Sequence, residues 1–240
     1  ERAKIAVNME RCRWQIKHPG QQENRVLVNI AAQHLWAVGG DSALDMRICC
    51  GAYPTKTPLL CSTINYMQVN PEWNIPFNII KTDVARHGGD SAYFARNRYD
   101  IVDRETGDTL QASEVGKERL LSGKMKVVQK GGSGNSLGRI VFRFPNNFSV
   151  YLHDTNTPSA FRLKTRAVSH GCIRLEKPLD LAFFIMENLD SIQQDRIRME
   201  VGKAPLTEWG KKYRAENPPT GERPKNRTYP VETNYAVFLD

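Results

Sequence analysis

Short runs in which apolar and polar residues alternate dominate the first third of the chain and predict β-strands at 26–31, 35–38, 44–50 and 64–69. The segment Gly39-Gly40-Asp41-Ser42 separates two of these runs and favours a hairpin. Similar runs at 139–144, 149–153 and 235–239 predict that the sheet resumes later in the chain. The pattern therefore predicts a mainly β fold, a sandwich or curved mixed sheet with a few helices.

Two segments have the apolar spacing of helices instead. Residues 2–16 carry apolar side chains at positions 5, 9 and 12, and a turn is predicted at His18-Pro19-Gly20. The second segment, 178–188, begins with Pro178, which suits a first helical turn. Beyond Leu206 the chain is rich in proline and charge, which predicts a long, loosely ordered loop through Arg227.

The composition changes between about residues 81 and 137, where charged residues and glycines are frequent. We interpret this stretch as an insertion into the sheet. The glycine run at 131–134 lacks the Gly-Lys-Ser/Thr of a phosphate loop and indicates a hinge or turn. The predicted organisation is a helical lead-in at 1–24 from an upstream domain, followed by one domain at 25–240 that contains the insertion.

The chain carries 34 Lys and Arg against 26 Asp and Glu, a formal net charge of +8, which favours an anionic partner. The basic residues are scattered and form no stripe interleaved with aromatics, so nucleic acid is not expected as a partner. A carboxylate-rich polymer fits the charge better. No apolar run approaches the roughly 18 residues that cross a bilayer. The chain starts at Glu1 without a charged and apolar leader, so any export signal or membrane-anchoring region has been removed or lies upstream.

The strongest chemical signal is Cys172 in Ser169-His170-Gly171-Cys172, preceded by His153 in Tyr151-Leu152-His153-Asp154. A thiol attacks a carbonyl as thiolate, so it needs a base, and His153 on a separate segment suits that role better than His170. Gly171 leaves the backbone N–H groups of residues 171 and 172 free to face an oxyanion. The carboxylate of Asp154 or a backbone carbonyl could orient His153. The Cys and His spacing fits no common zinc site, so no metal is expected.

These motifs resemble the signature of the L,D-transpeptidase family. The resemblance implies that Cys172 is the acylated nucleophile and His153 its general base, and that His170 and Gly171 shape the oxyanion pocket. It extends to 51–58, similar to the Gly and Thr-Pro turn entering the family's cleft. Residues 8–11 and 70–76 are similar to the large envelope-bound branch of Gram-negative bacteria. In that branch a mobile cap occupies the place of residues 81–137 and covers the cleft.

The resemblance further implies a reaction and a location. The expected activity forms 3-3 cross-links between peptidoglycan stem peptides in the periplasm, through a cysteine acyl-enzyme on a tetrapeptide stem, without a cofactor and with carbapenems as inhibitors. An L,D-carboxypeptidase, a non-catalytic peptidoglycan-binding protein and an unrelated cytoplasmic cysteine hydrolase stay open as alternatives. The residues expected to contact substrate or wall the cleft are Arg174, Ser169, Tyr151, Asp154, Tyr53 and Trp73. For Arg174, Tyr53 and Trp73, a role in packing or in an internal salt bridge stays open as the alternative.

Five cysteines leave one thiol for chemistry and four others, Cys12, Cys49, Cys50 and Cys61. Cys49 and Cys50 are adjacent and would alternate faces in a strand. A bridge from either of them to Cys61 is possible in an oxidising compartment. The default expectation is that the four pack as core or partly exposed thiols.

Overall fold

The computed structural model describes residues 1–16, 24–221 and 224–240, and confirms the fold class. It contains a curled mixed sheet with few helices, and 31% of the residues are helical and 28% are in strands. The turn predicted at His18-Pro19-Gly20 lies outside the described residues, as does the side chain of Cys12.

The strands of the described chain are β1 (Arg25–Asn29), β2 (His34–Gly39), β3 (Ser42–Gly51), β4 (Leu60–Thr63), β5 (Tyr66–Val69), β6 (Trp73–Asn74), β7 (Tyr99–Asp103), β8 (Thr109–Leu110), β9 (Met125–Gln129), β10 (Ile140–Arg143), β11 (Leu152–His153), β12 (Ala167–Ser169), β13 (Ile173–Leu175), β14 (Arg227–Pro230) and β15 (Ala236–Leu239). The α-helices are α1 (Arg2–Ile16), α2 (Phe77–Ile79), α3 (Ser91–Asn97), α4 (Lys117–Leu121), α5 (Pro178–Ile185), α6 (Ser191–Glu200) and α7 (Glu208–Glu216).

The chain divides into two compact units. Unit 1 comprises residues 1–67, 142–194 and 228–240, and unit 2 comprises residues 68–141 and 195–227. The limits 81 and 137 that composition gives for the insertion both fall inside unit 2. The role of this segment as a cap stays a prediction.

Unit 1 is built on a sheet in which β11, β13, β3, β2, β1, β15 and β4 follow one another, with β12 also paired to β3. Antiparallel pairing joins β1, β2 and β3, whereas β1 pairs with β15 and β11 with β13 in parallel. The predicted hairpin is confirmed, because Gly39 pairs with Ser42 and leaves a two-residue turn. Alternation along β1 and β2 buries Val26, Val28, Leu35 and Ala37.

The predicted helices at 2–16 and 178–188 are confirmed as α1 and α5. Pro178 occupies the first turn of α5, and Leu181, Ala182 and Ile185 form its buried face. The final strand is confirmed as β15, whose four residues are all buried.

Unit 2 contains a second sheet, in the order β6, β9, β7, β8, with α2, α3 and α4 beside it in the chain. Its apolar side chains form a separate buried cluster that includes Ile80, Phe94, Ile101, Leu120 and Val127. The stretch that composition marks as charged and glycine-rich therefore has a hydrophobic core.

Two predictions were wrong in detail. The segment from 206 to 227 is not a loop throughout, because Thr207 caps α7 by accepting the N–H of Gly210. The strand predicted at 149–153 is confined to Leu152–His153. Ser149 has a positive φ of 55°, and the Asn146 carboxamide accepts the N–H of Val150, so the chain before β11 is a loop. In the described parts of the chain, no helix combines the length and apolar character that crossing a membrane requires.

Candidate active site

The register of β11 and β13 places the candidate residues on one face of the sheet. Leu152 pairs with Ile173, and His153 pairs with Arg174. Leu152 and Ile173 are both fully buried. Since successive side chains alternate between faces, His153 and Arg174 project from the opposite face, and Cys172, two residues before Arg174, shares it. The register thus places the thiol and the imidazole, from separate segments, on the same face of the sheet.

The ring of His153 is held by the backbone. Its Nδ1 lies 2.5 Å from the carbonyl oxygen of Asp154. A carbonyl can only accept, so Nδ1 carries the proton and Nε2 carries the lone pair. Of the two ways of orienting His153 that the sequence leaves open, the carbonyl of Asp154 is the one observed. The side chain of His153 is 4% exposed, which keeps the base away from bulk water.

The thiol of Cys172 lies against the loop that precedes β11, where it donates to the carbonyl oxygen of Ser149 at 3.7 Å. Burial raises its pKa above the ordinary value, while a hydrogen bond from the backbone of Tyr151 and the charges of Arg143 and Arg174 act in the opposite direction. The net direction is upward. The raised pKa favours the neutral thiol of Cys172 over a preformed thiolate, so as a nucleophile it would need a base to remove its proton.

Ser169 and Gly171 shape residues 169–172, here called the nucleophile loop, which carries the candidate nucleophile Cys172. The hydroxyl of Ser169 donates to the Cys172 carbonyl at 2.6 Å and accepts the Gly171 N–H at 3.1 Å. Ser169 is 4% exposed, so its contacts are internal and it positions the loop. The Gly171 N–H is also engaged, which corrects the expectation that it is free for an oxyanion. Gly171 has φ +117°, a conformation that side-chain-bearing residues rarely adopt.

The turn at 51–57 fastens this loop to the end of β3. Thr57 Oγ1 donates to the Gly171 carbonyl at 2.8 Å and accepts the Gly51 N–H at 2.9 Å. Thr55 Oγ1 donates to the Ser169 carbonyl at 3.0 Å. A Cβ at Gly51 would lie 2.1 Å from the Thr55 carbonyl oxygen, so this close approach requires glycine. The turn that the resemblance brings to the cleft is thus bonded to the nucleophile loop.

Four further candidates lie in unit 1. Arg174 is half-buried, and within the described chain its Nε is buried without a hydrogen-bond partner. Tyr53 is 84% exposed, with Lys56 Nζ 4.5 Å from its ring centroid. Tyr151 is half-buried, and the Arg143 guanidinium lies over its ring. His170 is exposed.

Trp73 is placed differently. It belongs to β6 in unit 2, where it packs against the buried cluster of that unit. This contact supports the packing role that the sequence left open as an alternative to lining the cleft.

Three residues that contact the candidate site were not identified from the sequence: Thr57, Asn146 and Arg143. Asn146 organises the loop beside the thiol, since its Oδ1 accepts the N–H groups of Phe148 and Val150 and its Nδ2 donates to the Val150 carbonyl. An Asn at this offset is a signal for an Asx-type turn that could have been found. No sequence signal marks Arg143.

The cysteines of the described chain are free: Cys49 and Cys50 are buried and Cys61 is exposed, so the possible bridge to Cys61 is not formed. Burial raises the pKa of each of these three thiols. No group of three or more His, Cys, Asp or Glu in residues 1–16, 24–221 and 224–240 is arranged to hold a metal ion.

Comparison with known proteins gives concordant results. The model of the YkuD family, described as the L,D-transpeptidase catalytic domain, matches residues 23–199. A Haemophilus influenzae protein named "Putative L,D-transpeptidase" is 30% identical over 186 residues, which are 77% of this chain and 37% of that protein. The chain thus spans little more than a third of that relative.

Among solved structures, an L,D-transpeptidase from Mycobacterium smegmatis is similar at 15% identity and a TM-score of 0.38, over 68% of this chain and 54% of the other. L,D-transpeptidase 3 from Mycobacterium tuberculosis, in complex with a faropenem-derived adduct, is similar at 13% identity and a TM-score of 0.33, over 65% and 52%. The family model spans most of the chain and includes both His153 and Cys172. The chain belongs to the L,D-transpeptidase catalytic-domain family.

Proposed function

We propose that this chain is a cysteine acyltransferase that forms 3-3 cross-links between peptidoglycan stem peptides. The observation that carries the proposal is the arrangement of Cys172, His153 and the Asp154 carbonyl. The carbonyl holds the proton on Nδ1, which leaves Nε2 of His153 as the base for a thiol on the same sheet face.

In the acylation step, His153 Nε2 removes the proton of the Cys172 thiol as the sulfur attacks the carbonyl carbon of the third residue in a tetrapeptide stem. A C–S bond forms and the amide C–N bond breaks. The terminal D-alanine departs as an amine that takes its proton from His153. The products are a thioester on Cys172 and a neutral imidazole.

In the transfer step, the side-chain amine of the third residue of a second stem attacks the thioester. His153 removes a proton from this amine and returns it to the departing Cys172 sulfur. The new amide joins two third-position residues, and the enzyme is restored without a cofactor. Water in place of the amine would release a tripeptide, which is the L,D-carboxypeptidase alternative.

The substrate fixes the proposed location. Peptidoglycan stems are reached in the periplasm, and the formal net charge of +8 suits a carboxylate-rich wall. We propose that the protein is exported.

The test is intact mass after incubation with a carbapenem, whose strained lactam can acylate a nucleophilic thiol. The wild type is expected to gain one adduct with the mass of the inhibitor, and Cys172→Ala none. Cys61→Ala is the matched control, because Cys61 is an exposed free thiol outside the proposed site, and it should be acylated like the wild type. An adduct that persists in Cys172→Ala, or no adduct on folded wild type, contradicts the nucleophile assignment.

Stem-peptide assays then identify the acceptor. With tetrapeptide alone, transfer yields a cross-linked product and free D-alanine, whereas hydrolysis yields tripeptide and D-alanine. Mass spectrometry separates these products. Tripeptide as the sole product would replace the transpeptidase proposal with the carboxypeptidase, and binding of peptide without release of D-alanine would favour a binding protein.

A further inference from the structure

A cavity of about 290 Å³ lies in unit 1 beside the loop that precedes β11. Its walls include Asn65, Tyr66, Arg143, Asn146 and Tyr151. The volume is near the lower end for small-molecule sites, which is enough for about one amino-acid residue of a peptide. A substrate group of that size could enter it.

Arg143 is the charged side chain in this wall. Its Cζ lies 4.0 Å from the centroid of the Tyr151 ring, so the guanidinium rests on the aromatic face. The Arg143 backbone is fixed as well, because its carbonyl accepts the N–H of Asn65 at 2.9 Å. A stacked guanidinium is pre-organised and presents N–H groups along its edge, in a fork that matches a carboxylate.

The cavity borders the loop that contacts the candidate nucleophile. Asn146 and Tyr151 line the cavity, and the loop between them carries Ser149, whose carbonyl accepts the Cys172 thiol at 3.7 Å. The Arg143 charge also reaches that sulfur, since it lowers the pKa of Cys172 against the larger opposing effect of burial. A group bound at Arg143 would therefore lie against the loop that contacts the thiol.

We propose that this cavity is a subsite for a carboxylate of the acyl-donor peptide, with Arg143 as the residue that binds it and Tyr151 as the platform that holds Arg143. The proposal rests on the proposed function and adds a specificity determinant to it. Donors with a carboxylate near the scissile bond are selected over donors in which that group is an amide.

The experiment compares wild type with Arg143→Gln on a tetrapeptide donor and on a panel in which each carboxylate is amidated in turn. Arg162→Gln is the matched control, because Arg162 is an exposed arginine of the same unit and the change in net charge is equal. For one of the amidated donors, the KM of the wild type is expected to be about ten- to hundredfold higher than for the parent donor, which is the usual effect of losing a charge-assisted hydrogen bond. Arg143→Gln should raise the KM of the parent donor by a similar factor, leave that of the amidated donor unchanged, and thus abolish the preference.

A second measurement separates carboxylate binding from an effect on the thiol. The rate of Cys172 alkylation by iodoacetamide, a neutral reagent, is followed against pH in each variant. In Arg143→Gln we expect only a small rise in the pKa of the Cys172 thiol. The same variant should show no selectivity among the donors in the KM measurements. Arg143→Lys, which keeps the charge and loses the fork, should recover the pH profile fully and the donor preference in part.

Equal loss of activity on parent and amidated donors in Arg143→Gln would overturn the subsite, because Arg143 would then act through the thiol or the fold. Peptide binding to Cys172→Ala, measured by calorimetry, distinguishes this failure from that of the proposed function. If this variant binds the parent donor at least tenfold more tightly than the amidated one while wild type turns over neither, the subsite stands and the proposed reaction is wrong. Equal affinities for the two peptides, or no binding of either, would overturn the subsite.

Discussion

Replacing Thr57 with valine tests how the nucleophile loop is held. Thr57 is 7% exposed, and its hydroxyl joins the Gly51 N–H to the Gly171 carbonyl at 2.9 and 2.8 Å. Valine has nearly the same shape and no hydroxyl. The substitution therefore removes both hydrogen bonds with little change in packing volume.

The expected cost follows from the two backbone groups left behind. Gly51 and Gly171 are both buried, so neither group gains water when the hydroxyl is lost. An unsatisfied buried donor or acceptor costs about 1–3 kcal/mol, so two such groups cost about 2–6 kcal/mol. Because the turn can shift slightly and recover part of this, we expect a loss of about 2–4 kcal/mol in the free energy of unfolding. Thr57→Ser keeps the hydroxyl and loses one methyl group, at about 0.5–1.5 kcal/mol by analogy with Ile→Val.

Two assays measure this difference. Urea unfolding should show the midpoint of Thr57→Val well below that of Thr57→Ser at similar slopes, with coincident fluorescence and circular dichroism transitions as the check on two-state behaviour. Hydrogen exchange at the Gly51 amide should accelerate in the valine variant and not in the serine variant. If the valine variant is as stable as the serine variant and its Gly51 amide stays protected, the hydroxyl bridge does not hold the loop.

Three further outcomes are expected. Because burial raises the pKa of Cys172, its alkylation by iodoacetamide should still be increasing with pH at 9.0, and a plateau below pH 8 would contradict the neutral thiol. Asp195 is buried, which raises its pKa, but hydrogen bonds from residues 206 and 207 lower it overall. Its carboxylate therefore stabilises the fold above the unfolded pKa and loses that effect as pH falls through the lower folded pKa. Unfolding of Asp195→Asn should show a deficit of about 2–3 kcal/mol at pH 7 that shrinks below pH 3.8, whereas a deficit constant with pH would exclude the carboxylate as its cause. Gly51→Ala should lower the free energy of unfolding by more than about 2 kcal/mol, because its Cβ would meet a backbone oxygen. Gly40→Ala is the control and should lower it by about 1 kcal/mol, because Gly40 has open space around it and only its φ of +52° is unfavourable. Equal unfolding midpoints for the two variants would refute the steric argument.

The sheet of unit 1 was predictable because its strands have one buried face. Val26, Val28, Leu35 and Ala37 alternate with less buried residues, and that period of two is visible in the letters alone. Helix α7 was not predictable in the same way. Its sequence is polar on most sides, and its start depends on Thr207 and on the buried Asp195, which lies in the preceding helix. The many charged residues of this segment predicted a loop, and the hydrogen bonds between Thr207 and Asp195 are not visible in a local pattern.

The candidate site divides in the same manner. Cys172 and His153 could be selected from the sequence because thiol chemistry requires a base, and few residues supply one. The contacts that position them depend on tertiary pairing, which no local pattern contains. Thr57 is far from Gly171 in the chain and donates to its carbonyl. Arg143 lies over Tyr151 only because the fold brings the end of β10 beside the residue that precedes β11.

The internal bonding of the nucleophile loop bears on how it could stabilise a developing oxyanion. Ser169 takes up the Gly171 N–H, and Thr57 takes up the Gly171 carbonyl, so the peptide groups on both sides of that glycine are already engaged. Such engagement restricts the backbone that carries Cys172, which in the proposed reaction would lower the entropy that must be lost on reaching the transition state. It also means that an oxyanion would draw on the N–H of Cys172, or on a movement that releases the Gly171 N–H from Ser169. The loop therefore restrains the position of the sulfur, while the Ser169 hydroxyl occupies the Gly171 N–H, one of the two donors that an oxyanion could use.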